Sequence, residues 1–548
     1  MITSMESHCL PFREIPHTSE LFSTFLEQFD RVSQYYAHPP TAQGIVDSAR
    51  EVRLDPETRR GVVEVLREQN ERFGAGGDTK ASLDRLAAGA LAIVTGQQVG
   101  LFLGPLYSFF KAVSAVRFAE EIGRRGVDAV PIFWLATEDH DLAEVNHSFW
   151  HTRSGLMRYD FAQGAESEGK RSGEVVFGGA IEPLVEQASA SLEGPFAGHV
   201  AVALHESYTP SDTYGSAFGK LMARLLAGRG IIFIDPLDAR LHRLAAQVFR
   251  RAVYDSEELR AALAARSKEL ESSGYHAQVK VAPGATLLFF NVDGRRSPVR
   301  AQDGKFVAGN AEFSLDELHA AIESRPEAVT PSVLLRPVVQ DALLPTAAYI
   351  GGPAEIAYMA QAQVPYRKIL GRMPAILPRS SFTLIEPGVA RVLSKYGLDL
   401  RDVWRGAQHV RSIMEQKAIP NALARRFEAD EEKFHAMLRS YAEAIEHLDK
   451  TLLGTLDAVE EKMLYQFTRL KEKVGRAENF RTGVLDGHQA AIFDSLYPNH
   501  ELQERSLCAL PFLATYGSEL LDELTHLSSL PDSAESRSCA HEHHVLYL

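Results

Sequence analysis

Four stretches concentrate the groups that chemistry uses. TGQQVGLFLGPLY (residues 95–107) spaces Gly96, Gly100 and Gly104 by four. That spacing is neither a dinucleotide fingerprint nor a Walker A loop, which would end in Gly-Lys-Ser/Thr. A glycine-rich loop running from a strand into a helix still turns backbone N–H groups toward a ligand, which suits phosphate or carboxylate. Gln97 and Gln98 would add amide donors and acceptors. The plainer reading is a tight turn that needs small residues. TEDHDLAEVNH (137–147) packs Glu138, Asp139, His140, Asp141, Glu144 and His147 together. On a helix, His140 and Glu144 would share a face with His147 one turn further on, as a general base or a divalent-cation site requires. The plainer reading is an acidic helix start that complements the helix dipole.

The third stretch, LLRPVVQDALLPTAAYIGGPAEIAYMAQ (334–361), sets Arg336, Gln340 and Asp341 in an apolar run. It then repeats the strand–glycine–helix device at Gly351-Gly352, with Pro353 at the first helical position. A second helix N-terminus would suit another carboxylate or phosphate; the alternative is an internal Arg–Asp pair plus a turn. The fourth, PRSSFTLIE (378–386), offers Arg379, Ser380, Ser381 and Thr383 as a phosphate-contacting set. His541, His543 and His544 near the end read as an ordinary polar terminus beside a strand, VLYL, rather than as a metal tract. No metal-ligand set is assigned.

These groups need elements to hold them. LAIVT, AVPIFWLAT, GIIFID, TAAYI and PAIL read as short buried strands, and helical patterns such as PLYSFFKAVSAVRFAEEIG lie between them. Strand–helix alternation with nearly uninterrupted apolar strands predicts an α/β fold with a parallel sheet covered on both faces. The four motifs then fall at strand ends, where open α/β sheets place ligands. The chain divides into an N-terminal helical segment (1–90), a first half of the core (91–147), an inserted subdomain (148–200), the core continued (201–274), a β-hairpin insertion with Asp293-Gly294 and Asp303-Gly304 turns (275–312) and a second core half (313–419). A stem (420–476) and a C-terminal segment packing on the core (477–548) complete it.

In the stem, Phe434, Leu438, Tyr441, Ile445, Leu448 and Leu452 step by four and three, and Leu456 inserts a second four-step before Val459, Met463, Phe467, Leu470 and Val474. That is a coiled-coil seam with one stutter. A single helix of ~50 residues would be roughly 75 Å long and must project or pair. Its ends join the core near 383–420 and 476–517. The stretch between them, near Thr383, Leu384, Ile385 and Glu386 and near Tyr497, Gln503 and Arg505, is a second candidate nucleotide site.

Composition narrows the function classes. The 548 residues are 45% hydrophobic and 24% charged, with 58 Lys+Arg against 72 Asp+Glu for a net charge of −14. This is a folded chain, and its overall field disfavours nucleic acid and anionic membrane as partners. Cys9, Cys508 and Cys539, far apart in sequence, exclude a disulfide framework or a four-thiolate zinc site and suit a reducing cytoplasm. No apolar run reaches the ~18 residues of a membrane span, and the N-terminus lacks signal-peptide character, so a cytoplasmic location is expected.

Taken together, GQQ-x-G-L-x-x-GPLY, FW-x-A-x-EDHD-x-x-E-x-N, QD-x-x-x-P-x-x-x-x-I-GGP-x-EIAY and PRSSFTLIE resemble the BshC family, the cysteine-adding enzymes of bacillithiol biosynthesis. The resemblance runs from PFREI at 11–15 to LQERSL at 502–507 and VLYL at the end. It implies a Rossmann-like core with connecting-peptide insertions and a coiled-coil stem that supports a homodimer. It implies amide formation between the carboxyl group of cysteine and the amine of glucosaminyl-malate, driven by ATP with Mg²⁺. By the same resemblance, Glu138, Asp139, His140 and Asp141 are the catalytic candidates. Gln97, Gln98, Gly104, Tyr107, Asn146, Arg336, Gln340, Asp341, Gly351 and Gly352 would bind substrate. Arg379, Ser381, Thr383, Leu384, Ile385, Glu386, Tyr497, Gln503 and Arg505 would bind nucleotide. Two readings of other classes compete: a metal-dependent hydrolase or lyase built on the acidic cluster, and a coiled-coil scaffold.

Overall fold

The computed structural model describes residues 5–162, 164, 167–417, 421–532 and 539–548; the expected first stem residue, 420, lies outside them. Five short strands form a wholly parallel sheet: β1 (Leu91–Gln97), β2 (Ala129–Leu135), β3 (Ile232–Ile234), β4 (Thr346–Gly351) and β5 (Ala375–Pro378). Their spatial order is β5-β4-β1-β2-β3. Every residue of β2 and β4 is buried, as expected of strands covered on both faces. The order reverses between β1 and β4, which opens a crevice at the carboxyl ends of these two strands.

Helix α1 (Leu106–Arg124) crosses from β1 to β2 and buries Leu106, Phe109, Phe110, Val113 and Val116, each contributing roughly 1.5–3 kcal/mol. Between β2 and β3 the chain makes the antiparallel hairpin His147–Thr152/Gly155–Asp160 and several helices. Between β3 and β4 it builds a five-stranded antiparallel sheet. Asp293-Gly294 and Asp303-Gly304, all at positive φ, close two hairpins of that sheet. Strand Val329–Pro331, beyond the expected insertion, pairs with Ala285–Val292 to complete it. Helices α2 (Arg336–Leu343) and α3 (Pro353–Pro365) flank β4.

Two compact units are present. The larger holds Ser7–Thr383 and Glu504–Val545, and with them the whole parallel sheet. The smaller holds Leu384–Gln503 and short terminal pieces. Within the smaller unit, the expected single long helix is instead a helical hairpin. Helix α4 (Asn421–Leu448) and helix α5 (Leu453–Thr482) are joined by a tight turn in which the Asp449 carboxylate accepts the Thr451 N–H. Phe434 meets Phe467 at 5.1 Å, and Lys471 pairs with Glu431 at 2.6 Å, so the two halves of the seam close on each other. The turn falls at 449–452, immediately before the extra four-step from Leu452 to Leu456. A stutter and a hairpin both shift the apolar phase, and only tertiary pairing separates them.

A second correction concerns the cysteines. Cys9 and Cys539 are disulfide-bonded, with Cα atoms 5.8 Å apart, although 530 residues separate them. Distance along the chain is no guide to distance in space once both ends fold onto one unit. The terminal histidines are not an exposed tail either. His543 and His544 are buried, and the His543 ring hydrogen-bonds to the Ser381 and Thr383 hydroxyls at 2.8 Å each. No helix among the described residues is long and apolar enough to cross a membrane.

Candidate active site

A cavity of about 740 Å³ opens at the carboxyl ends of β1, β2 and β4. Gly96 at the end of β1 faces Trp134 of β2 so closely that a Cβ would lie 2.9 Å from the tryptophan Cβ and carbonyl oxygen. The following loop folds on itself, and a Cβ on Gly100 would lie 2.9 Å from the Gly104 Cα. Several of its N–H groups are already used. Gly100 donates to the Gln98 carbonyl, Phe102 to the Tyr208 hydroxyl, Gly104 to the Leu101 carbonyl and Leu106 to the Leu507 carbonyl. Gly96 and Gly100 thus permit close packing; Gly96 lines the cavity, and Gly104 lies outside its lining.

The second glycine device is occupied from within. Glu355, on the first turn of α3, accepts the Gly352 N–H at 2.8 Å and the Tyr349 hydroxyl at 2.5 Å, and it pairs with Lys111. Lys111 also donates to the Gly96 carbonyl and to Gln97 Oε1, both at 2.8 Å. Burial pushes the Lys111 ammonium below its ordinary range, opposed by Glu355. Burial alone would raise Glu355, yet Lys111 and the Gly352 N–H hold it below the usual carboxylate range. This network ties both glycine-marked strand ends together beneath the cavity.

On the opposite wall stands the acidic cluster. Glu138 is buried 3.4 Å from His242 Nε2, and burial pushes its carboxyl up. The Gln98 amide bridges two carboxylates, donating to Asp139 at 2.9 Å and to Glu144. Asp139 also accepts the N–H groups of His140 and Asp141. His140 Nδ1 lies 3.1 Å from Arg296 Nη1, so the guanidinium donates into the ring and leaves the imidazole proton on Nε2. The expected helical alignment is absent: the local helix is only Leu142–Val145, and His147 opens a strand. His140, Glu144 and His147 consequently share no helix face. The metal-capable group found among the described residues is Cys9, Cys539 and Glu542, which includes none of them.

The comparisons with known proteins cover almost the whole chain. The family models for the bacillithiol biosynthesis BshC N-terminal Rossmann-like domain and C-terminal coiled-coil domain match residues 5–380 and 382–546. This chain belongs to the BshC family. Among its relatives, proteins named "Putative cysteine ligase BshC" from Koribacter versatilis, Solibacter usitatus and Salinibacter ruber are 42%, 35% and 30% identical to it. The matches span 94%, 94% and 97% of this chain and 96%, 96% and 98% of the respective relatives.

In this BshC-family chain, Gln97, Gln98, Tyr107, Glu138, Asp139, Arg336, Gly352, Arg379 and Arg505 line this cavity together. His140 stands just behind Arg296, a lining residue. Asp141 is exposed, and Asn146 bonds to His147; neither lines the cavity. Asp341 turns into the core, accepting the Tyr366 hydroxyl at 2.5 Å and the Gln340 amide at 2.9 Å, so it does not pair with Arg336. Gly351 packs against the Glu355 side chain. Arg379 spends its two terminal nitrogens on Glu504, at 2.8 and 2.6 Å, and Ser381 bonds Glu504 and His543, so this set is internally satisfied instead of free for phosphate. In the smaller unit, the Leu384 N–H donates to Gln503, whose amide returns to the Leu384 carbonyl. Ile385 is buried, Glu386 precedes helix Pro387–Tyr396, and Tyr497 ends helix Val484–Leu496.

Sequence reasoning missed Lys111, Lys280, Arg296, Tyr349, Glu355 and Tyr358, all of which line the cavity. Two left a signal. Lys111 is the one charge between Pro105 and Arg117, and the spacing from Gly352 to Glu355 is that of a capping box. Arg296 left none, because it arrives on a distant hairpin.

Proposed function

We propose that this chain joins the carboxyl group of cysteine to the amine of glucosaminyl-malate at the expense of ATP, completing a bacillithiol-type thiol in the cavity at the sheet's carboxyl edge. The observation that carries the reading is the charge of that cavity. Six cationic side chains line it (Lys111, Lys280, Arg296, Arg336, Arg379 and Arg505), against four carboxylates (Glu138, Asp139, Glu144 and Glu355). In a chain of net charge −14 this is a local positive excess, suited to substrates that are themselves anions.

The chemistry follows from the bond to be made. A free carboxylate is a poor acyl donor, so an anhydride bond of ATP breaks to activate the cysteine carboxyl as an acyl-phosphate or acyl-adenylate. The sugar amine then attacks the acyl carbon, a C–N bond forms, and the phosphate or AMP departs with its electron pair. The ammonium proton must leave before attack. His140 is poorly set to take it, since Arg296 occupies Nδ1 and Nε2 carries the ring proton. The Gln98-bridged carboxylates Asp139 and Glu144 face the cavity and are the acceptors in this reading. Lys280 and Arg505, which also line the cavity, would neutralise charge that develops on the departing group. Bound Mg²⁺ would be held by the nucleotide phosphates and would offset part of their charge. The partner is a second copy of the chain, through the stem, where Tyr441, Leu448, Val459 and Tyr465 remain exposed.

Purified protein incubated with cysteine, glucosaminyl-malate and ATP should yield a product whose mass is the sum of the two substrates less water, and none without ATP. Its absence from folded protein overturns the ligase. Asp139→Asn should lower kcat about a hundredfold, and unaltered turnover would sink the assignment of the base. Sedimentation velocity should give a dimer for the full chain.

A further inference from the structure

The six cations of the cavity are not equivalent. Lys111 is neutralised by Glu355 and Arg379 by Glu504, each in direct contact. Arg296 and Arg336 form no ion pair among the described residues, although both are partly buried. Their hydrogen bonds run to neutral groups. Arg296 donates to His140 Nδ1, to the Thr330 hydroxyl and to the Pro331 carbonyl, with its Cζ 3.7 Å from the centre of the Phe289 ring. Arg336 donates to Gln340 Oε1 and to the Tyr349 and Tyr358 hydroxyls. A guanidinium carries five N–H bonds. Three are satisfied on each side chain, so two on each have no acceptor among the described residues.

The side chains come from different parts of the larger unit. Arg296 sits on the antiparallel insertion sheet and Arg336 at the start of α2, yet both act electrostatically on the same buried carboxyl, Glu138. Each is already locked in place by three bonds, so a ligand would meet donors whose orientation is set in advance. Planar donors of this kind match carboxylates and phosphates alike, and two of them held on separate elements offer one guanidinium to each of two anionic groups on a single ligand.

We propose that Arg296 and Arg336 form a two-guanidinium subsite that holds the two carboxylates of the substrate's dicarboxylate part. The proposal rests on the ligase reading for the identity of that part, a malate group. Arg296, contributed by the insertion sheet, is the residue that makes the site specific for a dicarboxylate over a monocarboxylate.

Titration calorimetry on the full chain tests it with L-malate, acetate and ADP as probes. Wild type should bind L-malate and not acetate. Arg296→Gln and Arg336→Gln should each weaken L-malate binding by about tenfold to a hundredfold, the loss expected for hydrogen bonds to a charged group, and leave ADP binding within about twofold. Arg336→Lys should recover part of the loss, and thermal melting confirms that each variant is folded. Unchanged malate affinity in the folded variants overturns the subsite, as does an ADP affinity that falls by the same factor, which would assign these arginines to phosphate. Failure of wild type to bind L-malate at millimolar concentration also overturns it. The ligase reading fails separately. A wild type that binds L-malate through these arginines but forms no amide keeps the subsite and loses the ligase. One that ligates with an unaltered KM for glucosaminyl-malate in Arg296→Gln loses the subsite and keeps the ligase.

Discussion

Two regions of the larger unit hold arginines in opposite ways. Beside the strand Glu542–Tyr547, Arg379 is buried and clamped by both oxygens of Glu504, and it also donates to the Ser380 carbonyl while the Ser381 hydroxyl and the Phe382 N–H donate to Glu504. In the cavity, Arg296 and Arg336 are fixed just as firmly, but only by neutral acceptors. The first arrangement is complete and needs nothing from outside. The second leaves positive charge exposed to a pocket, which is tolerable because that charge is partly hydrated until an anion arrives. Satisfied charge marks architecture here, and unsatisfied charge marks the place for a ligand.

Four measurements test that contrast. Arg379→Met strands Glu504 in the interior and should cost about 3–5 kcal/mol in denaturant unfolding, most of it regained in Arg379→Met/Glu504→Gln; a loss below 1 kcal/mol would remove the distinction. Disulfide reduction, or Cys9→Ser, should lower unfolding stability by about 2–4 kcal/mol under oxidising conditions, and Cys9→Ser should make no difference once thiols are reduced. A third test uses pH. Burial depresses His541, His543 and His544 to about 4 from 6.5. Between those values the unfolded chain binds protons that the folded chain refuses, so stability is lost as pH falls from about 6.5 to about 4. Unfolding curves at pH 7 and pH 5 should show the loss, and His543→Asn should flatten the slope. Finally, Arg296→Gln should change stability by less than about 1 kcal/mol, because Arg296 forms no direct ion pair among the described residues.

The parallel sheet was legible because each strand is a continuous apolar run ended by glycine or polar residues, and the four motifs sit at strand ends as their order implied. Two expectations turned on a local pattern that admits two structures. The apolar phase shift at Leu452–Leu456 fits a stutter or a hairpin, and the Asp-x-Thr cap at Asp449 decides for the hairpin. The glycines at 96, 100 and 104 fit an anion loop or close packing, and the close approaches at Gly96 and Gly100 show the packing.

What the amino-acid order determined alone was therefore periodic or contiguous: buried strands, the stem's apolar seam, the acidic cluster, and motifs dense enough to reveal the family. What only the folded chain decided was pairing at a distance. Glu355 meets Lys111, Glu504 meets Arg379, Cys539 meets Cys9, and Arg296 reaches His140 from another sheet. The physical reason is one of range. Backbone geometry and hydrophobic periodicity act over a few residues and leave a trace in their spacing. An ion pair or hydrogen bond depends on a separation of about 3 Å in space, which is set by topology and not by distance along the chain.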